Sequence, residues 1–264
     1  MPDLPPSLPA AAPEPDPWVG LRAFTAARIA LGRSGTSVPL RESLDFRLAH
    51  AHARDAVYSG LAVDALLTGL AALQLPVCQV HSRAATRPEY LQRPDRGRQL
   101  NEASRAVLAE QAAEYDVALI LADGLSATAV NDHALPLLGR LVPQLRQAGW
   151  RLAPVTLAEQ ARVALGDEVG AGLGARLTLL LIGERPGLSS PNSLGAYLTF
   201  NPRPGLTDEA RNCVSNIRPE GLDYPAAAAR LFFLVREALR RQLSGVGLKD
   251  QSDLLEGGRV GDEG

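Results

Sequence analysis

Glu184 and Arg185 stand between Gly183 and Gly187 in the run GERPG, directly after the apolar run Leu177–Ile182. Glycines admit close backbone approach, and a carboxylate beside a guanidinium offers both acceptor and donor, so this loop suits a polar, partly anionic ligand. The same pair could equally be a salt-bridged structural turn. Ser190-Pro191 then reads as a helix cap followed by proline at the first helical position. A second such loop, Asp123-Gly124-Leu125-Ser126, follows the apolar run Val117–Ala122. Cys213 lies in RNCVSN, and taken alone it reads as a buried structural thiol.

Other candidates carry less. Gly170, Gly172 and Gly174 resemble a dinucleotide fingerprint, but they precede a strand instead of following one, so they read as a helix-to-strand connection. His50 and His52 diverge on a helix and cannot share a metal; His81 and His133 are isolated in sequence, and all four read as structural. No GxSxG elbow supports a serine hydrolase. Only Lys249 is a lysine, so Schiff-base chemistry has almost no candidate, and two distant cysteines make neither a disulfide scaffold nor a zinc module. The segment Arg83–Arg98 holds five arginines and reads either as a solvated loop or as a partner contact.

The elements that must position these residues follow from the apolar pattern. The 264-residue chain is 46% hydrophobic, enough for a substantial core, and its formal charge of −2 provides no global basic field. Residues 1–17, with seven prolines, read as a flexible arm, and 250–264 as an acidic flexible tail. Residues 18–75 read as a helical lead-in, with a helix or two abutting helices over 44–73 and Ser43 as cap. Residues 76–249 read as an α/β domain with a mainly parallel, Rossmann-like sheet flanked by helices. Its strands are expected at 77–80, 117–122, 152–155, 177–182, 196–200 and 213–217. Its helices are expected at 98–114, 126–149 with breaks at Pro136 and Pro143, 157–165, and 225–243. Ligands of such sheets bind beyond the carboxyl ends of the strands.

The runs LDFRLAHAHARDAV (44–57), YLQRPDRGR (90–98), RVALGDEVG (162–170), LIGERPG (181–187) and RNCVSNIRP (211–219), among others across residues 16–250, resemble the small subunit of ethanolamine ammonia-lyase. That resemblance implies a hetero-oligomer with a large, barrel-type subunit that binds ethanolamine and converts it to acetaldehyde and ammonia. It also implies adenosylcobalamin held at the subunit interface, with no catalytic residue in this chain. The family's cofactor contacts map onto Val163, Glu184 and Cys213, with Arg162, Gly183 and Arg185 as assisting neighbours. The histidine pattern of cobalamin proteins that exchange the lower base fails around His133, so base-on binding is expected, with cobalt not ligated by this chain. The implied setting is cytoplasmic, with encapsulation in a bacterial microcompartment left open, and neither nucleic acid nor a membrane is expected as partner. Two other readings stand beside this one: a free-standing nucleotide-binding enzyme, and a non-catalytic scaffold.

Overall fold

The computed structural model describes residues 16–250. The expected arm, apart from Asp16 and Pro17, and the expected tail after Asp250 lie outside the described residues. The described residues form two units: one comprises residues up to Arg54 with Gly187–Ser190, the other Asp55–Pro186 with Pro191 onward.

The second unit is built on six strands: β1 (Val77–His81), β2 (Tyr115–Ala122), β3 (Val155–Glu159), β4 (Ala175–Gly183), β5 (Leu194–Phe200) and β6 (Arg211–Ile217), ordered β1-β3-β2-β4-β5-β6. The pairs β1–β3, β3–β2 and β2–β4 are parallel, whereas β4–β5 and β5–β6 are antiparallel. The expectation of a mainly parallel sheet therefore holds only for the first four strands, and the sheet is mixed. The reason lies in the connections: residues 184–193 and 201–210 are too short for the helical crossover that a parallel pair needs, so β5 folds straight back.

The described residues contain seven α-helices: α1 (Leu40–Tyr58), most of it in the first unit, and α2 (Val63–Ala72), α3 (Arg87–Gln92), α4 (Glu102–Glu110), α5 (Ala127–Gln147), α6 (Leu165–Leu173) and α7 (Tyr224–Arg241) in the second. Both faces of the sheet are covered, which is why β2 and β4 read as continuous apolar runs. Val117, Leu119 and Leu121 pack with Leu177, Leu179 and Leu181 toward α2, α5 and α7. Ala118, Ile120 and Ala122 pack with Leu180 and Ile182 toward α4 and α6. The period-2 alternation of strand side chains divides one sequence run between two cores.

Four expectations are corrected here. Residues 155–159 form the interior strand β3, between β1 and β2, not a helix starting at 157: Leu, Ala and Glu favour helix locally, but pairing on both edges and burial of Val155–Ala158 decide the outcome. Pro136 and Pro143 do not break α5; both sit on its exposed face, where carbonyls that lose a helical donor can bind water, while Leu137, Leu138, Leu141 and Leu145 stay buried on the other. No helix follows Ser190-Pro191, where the chain turns into β5, and Ser43 lies inside α1 rather than capping it. The glycine run ends α6 as expected, with Gly174 in the left-handed conformation at its C-cap before β4. Among the described residues, no single helix is long and apolar enough to cross a membrane.

Candidate functional site

At the carboxyl end of β2, Asp123 is 2% exposed and works as a clamp. Its Oδ1 accepts from the amides of Gly124 at 2.8 Å and Ala161 at 2.9 Å; its Oδ2 accepts from the Gln160 amide at 2.8 Å and from Arg87 at 3.4 Å. Burial pushes this carboxyl up, while the three amides and Arg87 pull it back down. The clamp fastens the loop leaving β3, which carries Arg162 and Val163. Tyr90, fully buried on α3, fastens it again: its hydroxyl donates to the Ala161 carbonyl at 3.1 Å. Burial raises the Tyr90 phenol, so the hydroxyl remains a donor.

Two guanidiniums stack on the Tyr90 ring, Arg87 at 4.6 Å and Arg162 at 4.2 Å from its centre. Arg162 also donates to the Tyr90 carbonyl at 3.1 Å, and its Nε is buried without a partner. The segment 83–98 that could have been a solvated loop is thus partly the short helix that supports this stack.

At the end of β4, Gly183 packs so closely that a Cβ would collide with the Ser126 carbonyl oxygen. Its glycine is required by the chain's own backbone, not by the approach of a ligand as the sequence suggested. Glu184 is half-buried; its Oε2 accepts from Ser193 Oγ and from the Asn216 amide at 3.3 Å, and among the described residues Oε1 has no donor. Arg185 is exposed and forms no hydrogen bond or ion pair among the described residues. The alternative reading, a Glu184–Arg185 salt-bridged turn, does not form: among the described residues the two side chains make no ion pair with each other.

Arg162, Val163, Gly183, Glu184 and Arg185 line one cavity of about 400 Å³. Arg162, Val163 and Tyr197 also border a second, of about 580 Å³, that reaches the buried Asp167–Arg211 ion pair. Cys213 lines neither cavity. It pairs across β5–β6 with Tyr197, which lines both, and the residue is exposed, contrary to the buried thiol expected from its surroundings in sequence. Crowding by neighbouring protein atoms raises the thiol, with Glu184 acting in the same direction and Tyr197 against, so it stays protonated near neutrality and offers a soft contact. Sequence reasoning missed Tyr197, Tyr90, Ser193 and Asn216 as parts of this face. The strand-end position of Asp123 was visible, but the amides it holds were not.

Fold and face together define an α/β protein with a ligand-sized cleft at its strand ends, where protein donors and acceptors remain free. No cluster of three or more histidine, cysteine or acidic residues suited to a metal ion occurs among the described residues. Comparison with known proteins specifies the class. The family model for the ethanolamine ammonia-lyase light chain matches residues 15–249. The chain is similar to the ethanolamine ammonia-lyase small subunit of Ralstonia nicotianae, 55% identical over 92% of this chain and 93% of the relative. It is also similar to that of Pseudomonas aeruginosa, 56% identical over 95% and 93%. A third relative, from Pseudomonas putida, is 55% identical over 92% and 91%. The chain belongs to the ethanolamine ammonia-lyase light chain family and serves as the small subunit of an ammonia-lyase complex.

Proposed function

We propose that this small subunit holds one side of an adenosylcobalamin at its interface with a larger, barrel-type subunit, which binds ethanolamine and carries out its conversion to acetaldehyde and ammonia. The observation that carries the reading is convergence: Val163, Glu184 and, through Tyr197, Cys213 come from three distant stretches of chain and meet on one face.

The residues present fit that cofactor's periphery of carboxamides, ribose hydroxyls and phosphate. Among the described residues, Glu184 Oε1 is an acceptor without a protein donor, and Arg162 Nε is a buried donor without a partner. Val163 and Tyr197 supply apolar surface beside them. Neither cavity encloses a molecule as large as a corrinoid with its nucleotide, which agrees with a cofactor shared between subunits. Radical chemistry at the substrate carbon comes with that cofactor when it is bound. This chain's own work is to accept hydrogen bonds at Glu184, to present Arg162 from a clamped loop, and to exclude water with Val163 and Tyr197. Cobalt ligation by this chain forms no part of the reading: His133 Nδ1 shares a hydrogen bond of 2.8 Å with the Tyr224 hydroxyl and lines neither cavity.

Glu184→Ala in the reconstituted complex is expected to weaken adenosylcobalamin binding roughly 10- to 100-fold, the range for a hydrogen bond to a charged group. Titration of the complex with cofactor measures this, and unchanged affinity would remove Glu184 from the site.

A further inference from the structure

The side chain of Glu184 lies across the neighbouring strand instead of projecting freely from its loop. Ser193, immediately before β5, holds this residue twice: its carbonyl accepts from the Glu184 amide at 3.0 Å, and its hydroxyl donates to Glu184 Oε2. Two positions further on is Gly195. A Cβ there would lie 3.0 Å from Glu184 Oε1 and 3.1 Å from its Cγ, so the space of the missing side chain is what the carboxylate occupies. Leu194, Ala196 and Leu198 belong to the core shared with α5 and α7. Strand alternation therefore puts Ser193, Gly195 and Tyr197 together on the opposite face of the sheet. Ser193 and Gly195 make a trough of small residues there, with Tyr197 next in the same row.

The strand on the other side of the trough is β6, and its ladder with β5 is irregular at this point. Between the pairs Leu194–Ile217 and Ala196–Val214 the register shifts, so Ser215 and Asn216 together oppose Gly195. This is a β-bulge, in which the extra residue leaves the ladder and its peptide groups are re-aimed. Asn216 adopts the left-handed conformation there, at φ 58°, which is unfavourable for a residue with a Cβ. It is fixed from behind: its carbonyl accepts from the Leu222 amide at 2.8 Å, and its Oδ1 accepts from Arg218 Nε at 2.9 Å. The Asn216 amide, at 3.3 Å, is turned to Glu184 Oε2.

A glutamate in a loop loses rotamer freedom when a ligand fixes it, and a side chain fixed beforehand spares that cost at binding. Both donors engage Oε2, so the trough immobilises the carboxylate while Oε1 has no donor among the described residues. We infer that Ser193 and Gly195 are positioning residues for Glu184. The Ser193 hydroxyl fixes Oε2, and the absence of a side chain at 195 lets the carboxylate lie across β5 with Oε1 ready for an N–H or O–H donor of the bound cofactor. Neither residue lines the cleft beside Glu184, so both act on the ligand through that side chain. The inference deepens the reading of Glu184 as a cofactor contact and rests on it.

The test is a pair of double-mutant cycles, read by titrating the reconstituted complex with adenosylcobalamin. Ser193→Ala removes the hydroxyl donor. Gly195→Ala presses on the end of a flexible side chain and on no backbone atom, so it displaces Glu184 and spares the fold. Each is expected to weaken binding about 3- to 10-fold, within the coupling range of residues in direct contact, and to have no further effect once Glu184→Ala is present. A purely structural role would give additive losses instead. If either variant weakens binding as much without the Glu184 carboxylate as with it, the inference is overturned while the reading of Glu184 stands. Unchanged affinity in both variants, beside a weakened Glu184→Ala, overturns it in the same way. If Glu184→Ala itself binds as tightly as the wild type, the cofactor reading of Glu184 fails and the inference falls with it. Ser193→Ala completes its cycle alone if Gly195→Ala does not fold.

Discussion

Helices α1 and α5 have nearly the same length, 19 and 21 residues, and opposite surroundings. Ten residues of α5 are buried against the sheet unit's own core, including Leu137, Leu138, Leu141 and Leu145, and that packing carries the helix through two prolines. Proline in a helix interior costs about 3 kcal/mol, so the burial must outweigh a large local penalty. In α1, which has no proline, the leucines face outward. The difference teaches that packing decides what holds each helix: α5 is anchored by the core of the sheet unit, whereas α1 buries only Ala56.

The strongest test of what holds the sheet unit is its buried ion pair. Asp167 and Arg211 have side chains 3% and 2% exposed, and burial pushes the Asp167 carboxyl up while Arg211 draws it down. Asp167→Asn leaves the buried guanidinium with only the exposed carboxylate of Asp208, 3.1 Å away, as counter-charge and is expected to destabilise the fold by up to about 3–5 kcal/mol in urea unfolding. A loss below about 1 kcal/mol would show that this unit does not depend on that internal pairing.

Leucine truncation compares the two helices directly. Leu141→Ala in α5 should cost about 2–5 kcal/mol, the usual effect of a cavity in a packed core. Leu44→Ala in α1 should lie within about 0.5 kcal/mol in the isolated small subunit, as exposed substitutions do. Equal losses in the isolated chain would erase the contrast.

A smaller effect is expected from His133 on α5. Burial lowers its folded-state pKa below the unfolded value of about 6.5. As pH falls, the unfolded chain therefore takes up the proton first; stability is complete above about pH 6.5 and declines from there down through the folded-state value. His133→Gln should flatten that part of the profile of denaturation midpoint against pH. An unaltered acid slope would mean that the histidine is as easily charged in the fold as outside it.

Much of the architecture was legible because local pattern and burial agreed. VALILA and LTLLLI are apolar at every position because helices cover both faces of β2 and β4, and the alternation from helical to continuous spacing marked most other elements. β3 was misread because Leu157, Ala158, Glu159 and Gln160 favour helix locally, and only pairing with strands some 40 and 80 residues earlier in the chain overrides them. Within the candidate site, Glu184 and Arg185 were visible as a strand-end loop, and Val163 and Cys213 came only with the family resemblance. Tyr197 could not be found from its own neighbours, since its place is set by register with Cys213 across a strand pair. Tyr90 was equally hidden: its stacking with Arg162 joins α3 to the loop after β3.

By itself the sequence determined the family, the α/β class, the two main buried strands and the loop that carries Glu184, because each is written in contiguous residues. Tertiary structure alone decided that β5 runs backward, that Asp123 clamps the loop bearing Arg162 and Val163, and that Glu184 is held by Ser193 and Asn216. It also decided that the leucines of α1, patterned like any core stripe, remain uncovered. Periodicity records which residues need burial; what buries them depends on which surfaces the folded chain brings together.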